Sequence, residues 1–345
     1  MDSPAHRSVQ VITNADGPSP AVSIILPTYD RATLLPAVIA SILDQDFADL
    51  ELVIFDDGST DNTADLVKGI QERDARLRYV TLAANRGIGY ARNAGLRHAA
   101  GSFIALADSD DLWFPGRLTA QLEILWRYPE IDILFGDFMN IDHVLGTEGL
   151  GLLEARRGLD LVMTREIEDR LFLVESGLEI GILRSNFIAA PTMVLRREVF
   201  ERVGGFNDDL GGPELEFCWR AAILGARYAY MDRPLIERHR LTDGLTSQGD
   251  QPWLQRLDAV AVMYRTCQEM GRREVLRYVR ATEVRTYRNL IRIYGERGQR
   301  FQALRSYLRS LKCDVSVRTT ALLIISLLGP RALSAVQEKG TGQQE

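Results

Sequence analysis

Over about the first 110 residues, short β-branched runs alternate with stretches of helical apolar spacing, and three of the four runs stop at carboxylates. Val22–Leu26 is followed by Pro27-Thr28-Tyr29-Asp30, Leu50–Phe55 by Asp56-Asp57-Gly58-Ser59, and Ser102–Ala107 by Asp108-Ser109-Asp110-Asp111. Leu77–Leu82 is the remaining run, and the helical stretches are Leu34–Leu43, Thr60–Ile70 and Gly89–Ala99. This alternation predicts an α/β domain whose central sheet is mostly parallel and covered by helices. Ligands of such sheets bind beyond the carboxyl ends of the strands. Packing alone gives no reason to place acids at three of those ends.

Composition narrows the class. The 345 residues are 46% hydrophobic and 26% charged, which excludes a wholly disordered, collagen-like or disulfide-scaffold chain. A formal net charge of -6 argues against a nucleic-acid partner for the chain as a whole. Cys218, Cys267 and Cys313 are far apart and form no CxxC pair, so a reduced, cytoplasmic setting is expected. Residues 1–20 lack the apolar core of a signal peptide and read as a flexible tail. The apolar run near Ala321–Leu328 is too short to span a bilayer, which takes about 20 residues.

The strand ends suggest chemistry. In extended backbone, Asp108 and Asp110 point to one side, a hard-oxygen pair suited to Mg²⁺ or Mn²⁺ bridging to phosphates. Capping and turn formation is the alternative role for such residues. Asp57 either caps the following helix or accepts a hydrogen bond from a nucleobase, and Tyr29 offers a flat face to a base. Arg86, in the Asn85-Arg86-Gly87 turn, is placed to meet a nucleotide or to stand in solvent. Gly87-Ile88-Gly89-Tyr90-Ala91-Arg92 lacks the third glycine of a dinucleotide loop and comes late in the sheet, which argues against a dehydrogenase.

The ordered set of motifs resembles the family 2 glycosyltransferases: VSIILPTYDR at 22–31, SILDQDFADLELVIFDDGSTDNT at 41–63, NRGIGYARNAGLRHAAGSFIALADSDDLWFPGRL at 85–118 and PTMVLRREVFERVGGFNDDLGGPELEFCWRAAILG at 191–225. The resemblance implies a GT-A fold and metal-dependent transfer, with inversion, of a sugar from a UDP-, GDP- or dTDP-linked donor to a glycan or lipid-linked acceptor, in the synthesis of a surface polysaccharide or glycan. It implies that Pro27, Thr28, Tyr29 and Asp30 form the base-binding loop, with Asp30 where the family often has Asn. Asp57 then reads the base, and Asp108, Ser109 and Asp110 contact the ribose, metal and diphosphate. Asp110 is the preferred metal ligand, assisted by Asp108 and Asp111. His239 stands where relatives carry a residue that touches the diphosphate or completes the metal shell.

The family's catalytic base falls on Glu214, counted back from Arg220, although Glu replaces the usual Asp and Pro213 the usual preceding acid. Asp208, Asp209 and Glu216 are rivals for that role. Trp113 either lines the sugar pocket or packs beneath the acidic loop. Two other functions fit an α/β sheet with paired acids. A nucleotidyltransferase would want a Gly-rich basic loop after the first strand, where Pro27–Asp30 stands, and a non-catalytic nucleotide-sugar binder is suggested only by the altered base segment.

The predicted boundaries are 1–20 for the tail, 21–245 for the catalytic domain, 246–335 for a helical appendage and 336–345 for a second tail. In the middle segment, Leu150–Leu153 and Leu171–Leu178 read as helices or a lid. In the appendage, Leu276, Val279, Val284, Tyr287, Leu290, Ile291 and Tyr294 trace one apolar face, and Phe301, Leu304, Leu308 and Leu311 another. Residues 265–312 hold twelve Arg and one Lys against four Glu, a balance of +9. Such basic helices suit peripheral contact with an anionic membrane, at its inner face, or with a lipid-phosphate acceptor. The run Leu322–Leu328, with Pro330 behind it, is the segment that would dip into that interface; the alternative, which the sequence slightly favours, is a solvated helical face packed on the catalytic domain.

Overall fold

In the computed structural model, the described residues are 10–12, 19–143, 146–151, 158–240, 249–313 and 317–328. The chain divides into two compact units, Met1–Thr242 and Asp243–Glu345. The expected boundary at 245/246, most of the tail 1–20, the tail 336–345, Leu152–Leu153 and Pro330 lie outside the described residues.

The first unit is built on a sheet of twelve strands: β1 (Gln10–Ile12), β2 (Val22–Thr28), β3 (Leu50–Asp56), β4 (Leu77–Thr81), β5 (Phe103–Leu106), β6 (Asp111–Trp113), β7 (Ile133–Asp142), β8 (Thr147–Leu150), β9 (Met163–Glu168), β10 (Leu171–Ser176), β11 (Val194–Arg196) and β12 (Tyr228–Arg240). The order is β1-β4-β3-β2-β5-β11-β7-β12-β10-β9, with β6 beside β12 and β8 beside β7. Its centre, β4-β3-β2-β5, is parallel, as the alternation predicts. β11 then joins antiparallel to β5 and β7.

Every residue of β2 and β3 is buried. This explains why both read as continuous apolar runs rather than as alternating ones: helices cover both faces. Helices α1 (Leu35–Leu43), α2 (Thr63–Gln71), α3 (Ile88–His98) and α4 (Arg117–Arg127) connect the strands. α1 lays Leu35, Val38, Ile39 and Ile42 on the sheet, an i, i+3, i+4, i+7 set. α2 starts at Thr63 rather than Thr60, and the Asp61 carboxylate accepts the Thr63 amide at 3.0 Å. Helices α5 (Leu178–Arg184), α6 (Arg197–Val203) and α7 (Glu214–Ile223) complete the unit.

One expectation fails in the middle segment. Leu171–Leu178 is not one helix: β10 takes 171–176, and Leu178 only begins α5. Leu171 and Leu173 are buried while Phe172 and Val174 are half-buried, so the apolar residues serve both faces of a strand with period two.

The second unit is helical: α8 (Gln251–Glu269), α9 (Arg273–Glu296), α10 (Arg300–Ser310) and α11 (Val317–Leu328). Its core holds Leu290, Ile291, Tyr294, Ala303 and Leu323, with Trp253, Leu254, Tyr287, Leu322 and Leu327 packed on it. The apolar run of α11 contributes to this core through Leu322, Leu323 and Leu327, while Ile324 is exposed. Conversely, Phe301, Leu304 and Leu308 stand on the exposed side of α10, which buries Ala303, Ser306 and Ser310. Among the described residues, no helix is long and apolar enough to cross a membrane.

Candidate active site

The acidic loop leaves β5 at the carboxyl edge of the parallel strands. The Asp111 amide donates to the Asp108 carbonyl at 3.4 Å, a turn, and the chain then enters β6, where Asp111 pairs with Arg238 of β12. The turn brings three acids together rather than the alternate pair of an extended strand. One carboxylate oxygen from each of Asp108, Asp110 and Asp111 lies within 4.8 Å of the others. Burial, then repulsion from Asp108, pushes the Asp110 carboxyl up to about 6, with Arg31 and Arg238 partly offsetting this. Asp111, fully buried, is raised well above the carboxylate range by burial and then by Asp108 and Asp110. Three hard-oxygen donors whose charges oppose one another this strongly fit a divalent cation, which would remove the repulsion. Ser109 lies half-buried between them.

Arg92 of α3 is fully buried and spans this loop and α7. One of its amino groups donates to Asp108 Oδ1 at 2.7 Å, and the other donates to Glu214 Oε1. Burial opposes its charge, but Glu214 and Asp108 outweigh that and raise its pKa. Glu214 opens α7, whereas Glu216, two positions on, lies about 200° round the helix. Glu216 is buried and paired with Arg220 at 2.6 Å. Of the rivals for the base, Asp208 accepts from Asn93 and Asp209 is exposed in a turn.

At the end of β3 the two adjacent acids diverge. Asp56 accepts the Tyr79 hydroxyl at 2.5 Å and the Ser59 amide at 2.7 Å. Asp57 accepts the Arg86 amide at 2.8 Å and the Gly87 amide at 2.7 Å, so it fixes the loop that starts α3. Burial raises the Asp57 carboxyl despite these donors. Gly87 has φ +92°, which favours glycine, and a Cβ at Gly89 would sit 2.9 Å from the Asn207 carbonyl oxygen. The failed dinucleotide motif is thus a turn and a close helix approach.

Beyond β2, Asp30 adopts φ 49°, a left-handed conformation that Asp tolerates. Its carboxylate accepts the amides of Thr60 at 2.7 Å and Asp61 at 3.2 Å, and its own amide donates to Ser59 Oγ at 2.9 Å. Pro27 and Thr28 are buried inside β2, so of the four expected loop residues Tyr29 and Asp30 reach the surface. Tyr29 is 42% exposed, and the neighbouring Asp30 charge raises its hydroxyl pKa. Arg86 is exposed with its guanidinium 3.6 Å from the centre of the Tyr90 ring.

His239 is not in the three-carboxylate group. Its Nδ1 is 2.8 Å from His143 Nε2, and Glu237 lies 3.5 Å from its Nε2. Trp113 is buried in the core beneath the Arg117 guanidinium at 3.7 Å, a packing role rather than a sugar wall. Arg92 is the site residue to which the sequence reading assigned no role. Its signal is a cation on the face of a predicted helix that otherwise buries Ala91, Ala94 and Gly95.

The fold is the GT-A fold. It is similar to the mannosyltransferase PcManGT of Pyrobaculum calidifontis, solved with GDP-Man and Mn²⁺, at 20% identity and a TM-score of 0.56 over 95% of this chain and 88% of that one. It is also similar to S. aureus TarS 1-349 in complex with UDP-GlcNAc, at 17% identity and a TM-score of 0.58 over 92% of each chain.

The sequence model of glycosyl transferase family 2 matches residues 23–204, and the chain belongs to that family. Among curated relatives, it is 36% identical over 122 residues to the Escherichia coli UDP-Glc:alpha-D-GlcNAc-diphosphoundecaprenol beta-1,3-glucosyltransferase WfgD, covering 35% of this chain and 47% of that protein. It is 37% identical over 105 residues to the Campylobacter jejuni GalNAc(5)-diNAcBac-PP-undecaprenol beta-1,3-glucosyltransferase, covering 30% and 34%. These matches span less than half of each relative.

Proposed function

We propose that this chain transfers a sugar from a nucleoside-diphosphate sugar to a hydroxyl of a lipid-linked glycan, with inversion, in the synthesis of a bacterial-type surface polysaccharide. The observation that carries this reading is the Arg92 bridge, which sets the expected metal ligand Asp108 and the expected base Glu214 on one guanidinium. Family membership supports the reaction class, and the diphosphoundecaprenol acceptors in the names of two relatives support a lipid-carried acceptor.

Inverting transfer is a single displacement, so a base must face the acceptor hydroxyl while the nucleoside diphosphate leaves from the opposite side. Glu214 takes the acceptor proton in this scheme. Arg92 orients it and keeps a positive charge between it and Asp108. Asp57 holds the loop at 86–87 and Asp30 the turn at 60–61, and the exposed Tyr29 ring stacks on the base. Asp108, Asp110 and Asp111 would hold Mn²⁺ or Mg²⁺, which when bound neutralises charge on the diphosphate.

The test is a donor panel. UDP-, GDP- and dTDP-sugars are incubated with the protein and a diphosphate-lipid glycan, with Mn²⁺, Mg²⁺ or EDTA, and nucleoside diphosphate release is followed. Metal-dependent release that is lost in Asp110→Ala supports the reading. Pyrophosphate formed from a sugar phosphate and a nucleoside triphosphate, or donor binding without turnover, overturns it.

A further inference from the structure

Helix α10 buries the wrong side for a helix that ends in a protein core. Ala303, Ser306 and Ser310 face inward, while Phe301 is 75%, Leu308 54% and Leu304 39% exposed. At 100° per residue, Leu304, Leu308 and Phe301 form one continuous stripe about 10 Å long. Arg305, Lys312 and Arg309, all exposed, form a second stripe along its edge. No acid occurs between residues 299 and 313, so nothing along the helix neutralises these cations. Long aromatic and aliphatic side chains left in water beside a one-sign charge row mark a surface that is completed by something else.

Two occupants compete. A second copy meeting this face across a two-fold axis would bring the Arg305, Arg309 and Lys312 rows of both copies together, like charge against like. An anionic bilayer takes both stripes at once: the acyl boundary receives the apolar row and the headgroup phosphates receive the basic row.

We propose that α10 is an interfacial helix that seats the unit Asp243–Glu345 on an anionic membrane, with Phe301, Leu304 and Leu308 entering the acyl boundary and Arg305, Arg309 and Lys312 among the phosphates. This deepens the reading of a lipid-carried acceptor made above and rests on it for its purpose. The docking element is thus the α10 stripe and not the Leu322–Leu328 run, which helps close the core of the unit.

The experiment is flotation of the full chain with vesicles of phosphatidylcholine alone and of phosphatidylcholine with phosphatidylglycerol, at rising salt. Wild type floats with the anionic vesicles and is released by salt. Phe301→Ser with Leu308→Ser lowers the bound fraction about tenfold or more, as loss of buried apolar area dictates. Arg305→Glu with Arg309→Glu abolishes the preference for anionic lipid. All four positions are exposed, and circular dichroism checks that each variant is folded. The proposal is overturned if wild type does not float, if the Phe301/Leu308 variant floats equally well, or if wild type forms a dimer or captures a protein that the same variant loses. None of these readouts needs sugar transfer, so an inactive enzyme would overturn the proposed activity and leave this test intact.

Discussion

Glu214 is held by Arg92, a residue 122 positions earlier in the chain, and the other amino group of the same guanidinium holds Asp108. Removing Arg92 leaves two part-exposed carboxylates facing each other across the space its guanidinium filled. Arg92→Met is therefore expected to cost about 1–3 kcal/mol of stability in urea unfolding, the scale of lost hydrogen bonds to charged groups. Arg92→Lys keeps the charge but loses the two-pronged fork, so it should unfold closer to wild type while still transferring sugar poorly.

Glu214→Gln preserves shape and removes the proton acceptor. Donor affinity, measured by calorimetry, should stay near wild type while transfer falls by about 10²–10⁴-fold. Glu216→Gln should do the reverse, because it weakens the buried pair with Arg220: unfolding shifts, and transfer per folded molecule is largely kept. Full activity in Glu214→Gln would move the base elsewhere.

The acid cluster predicts a pH signature. Asp110 stands near 6 and Asp111 well above the ordinary 3.8, both raised, so the folded chain holds these protons more tightly than the unfolded one. Stability from them is full below the ordinary carboxylate range and is lost as pH rises through about 6. Metal-free protein should thus show a Tm that falls from about pH 4 to about pH 7 through this cluster, a slope that Asp110→Asn flattens. Mn²⁺ should raise Tm most above about pH 7 and progressively less below about pH 6, where protons compete for the same oxygens. Melting curves in EDTA and in MnCl₂ across that range check the sign.

Asp57→Ala should separate nucleotide binding from metal binding. It frees the Arg86 and Gly87 amides and loosens the entry to α3. Donor affinity should fall about tenfold or more, the scale of one or two lost charge-assisted hydrogen bonds. The Mn²⁺-induced rise in Tm should be unchanged, because the three aspartates are untouched.

The parallel centre and the acidic strand ends are legible in the sequence because burial on both faces writes itself as an unbroken apolar run, and a run that stops at Asp marks the edge of the sheet. Arg92 is harder to read, since nothing local says that its partners lie on a loop and a helix 16 and 122 residues away. Glu214 and Glu216 separate only once the helix start is known, because the helical turn between them decides which one faces Arg92. The α10 stripe shows the limit of periodicity: spacing shows that Phe301, Leu304 and Leu308 share a face, and only the small residues opposite show that this face is the outer one.

The paired acids at the end of β3 make the pocket depend on strand register. Asp56 is spent on Tyr79 and the interior, Asp57 on the loop before α3, and one step of the chain separates them. Since neighbours in a strand project to opposite faces, slipping β3 by one residue against β2 would send the loop-fixing carboxylate into the sheet's interior and turn every apolar side chain of β3 over with it. A nucleotide pocket cannot form here on a mispaired sheet, so donor binding in a refolding experiment reports correct strand pairing as well as an intact site.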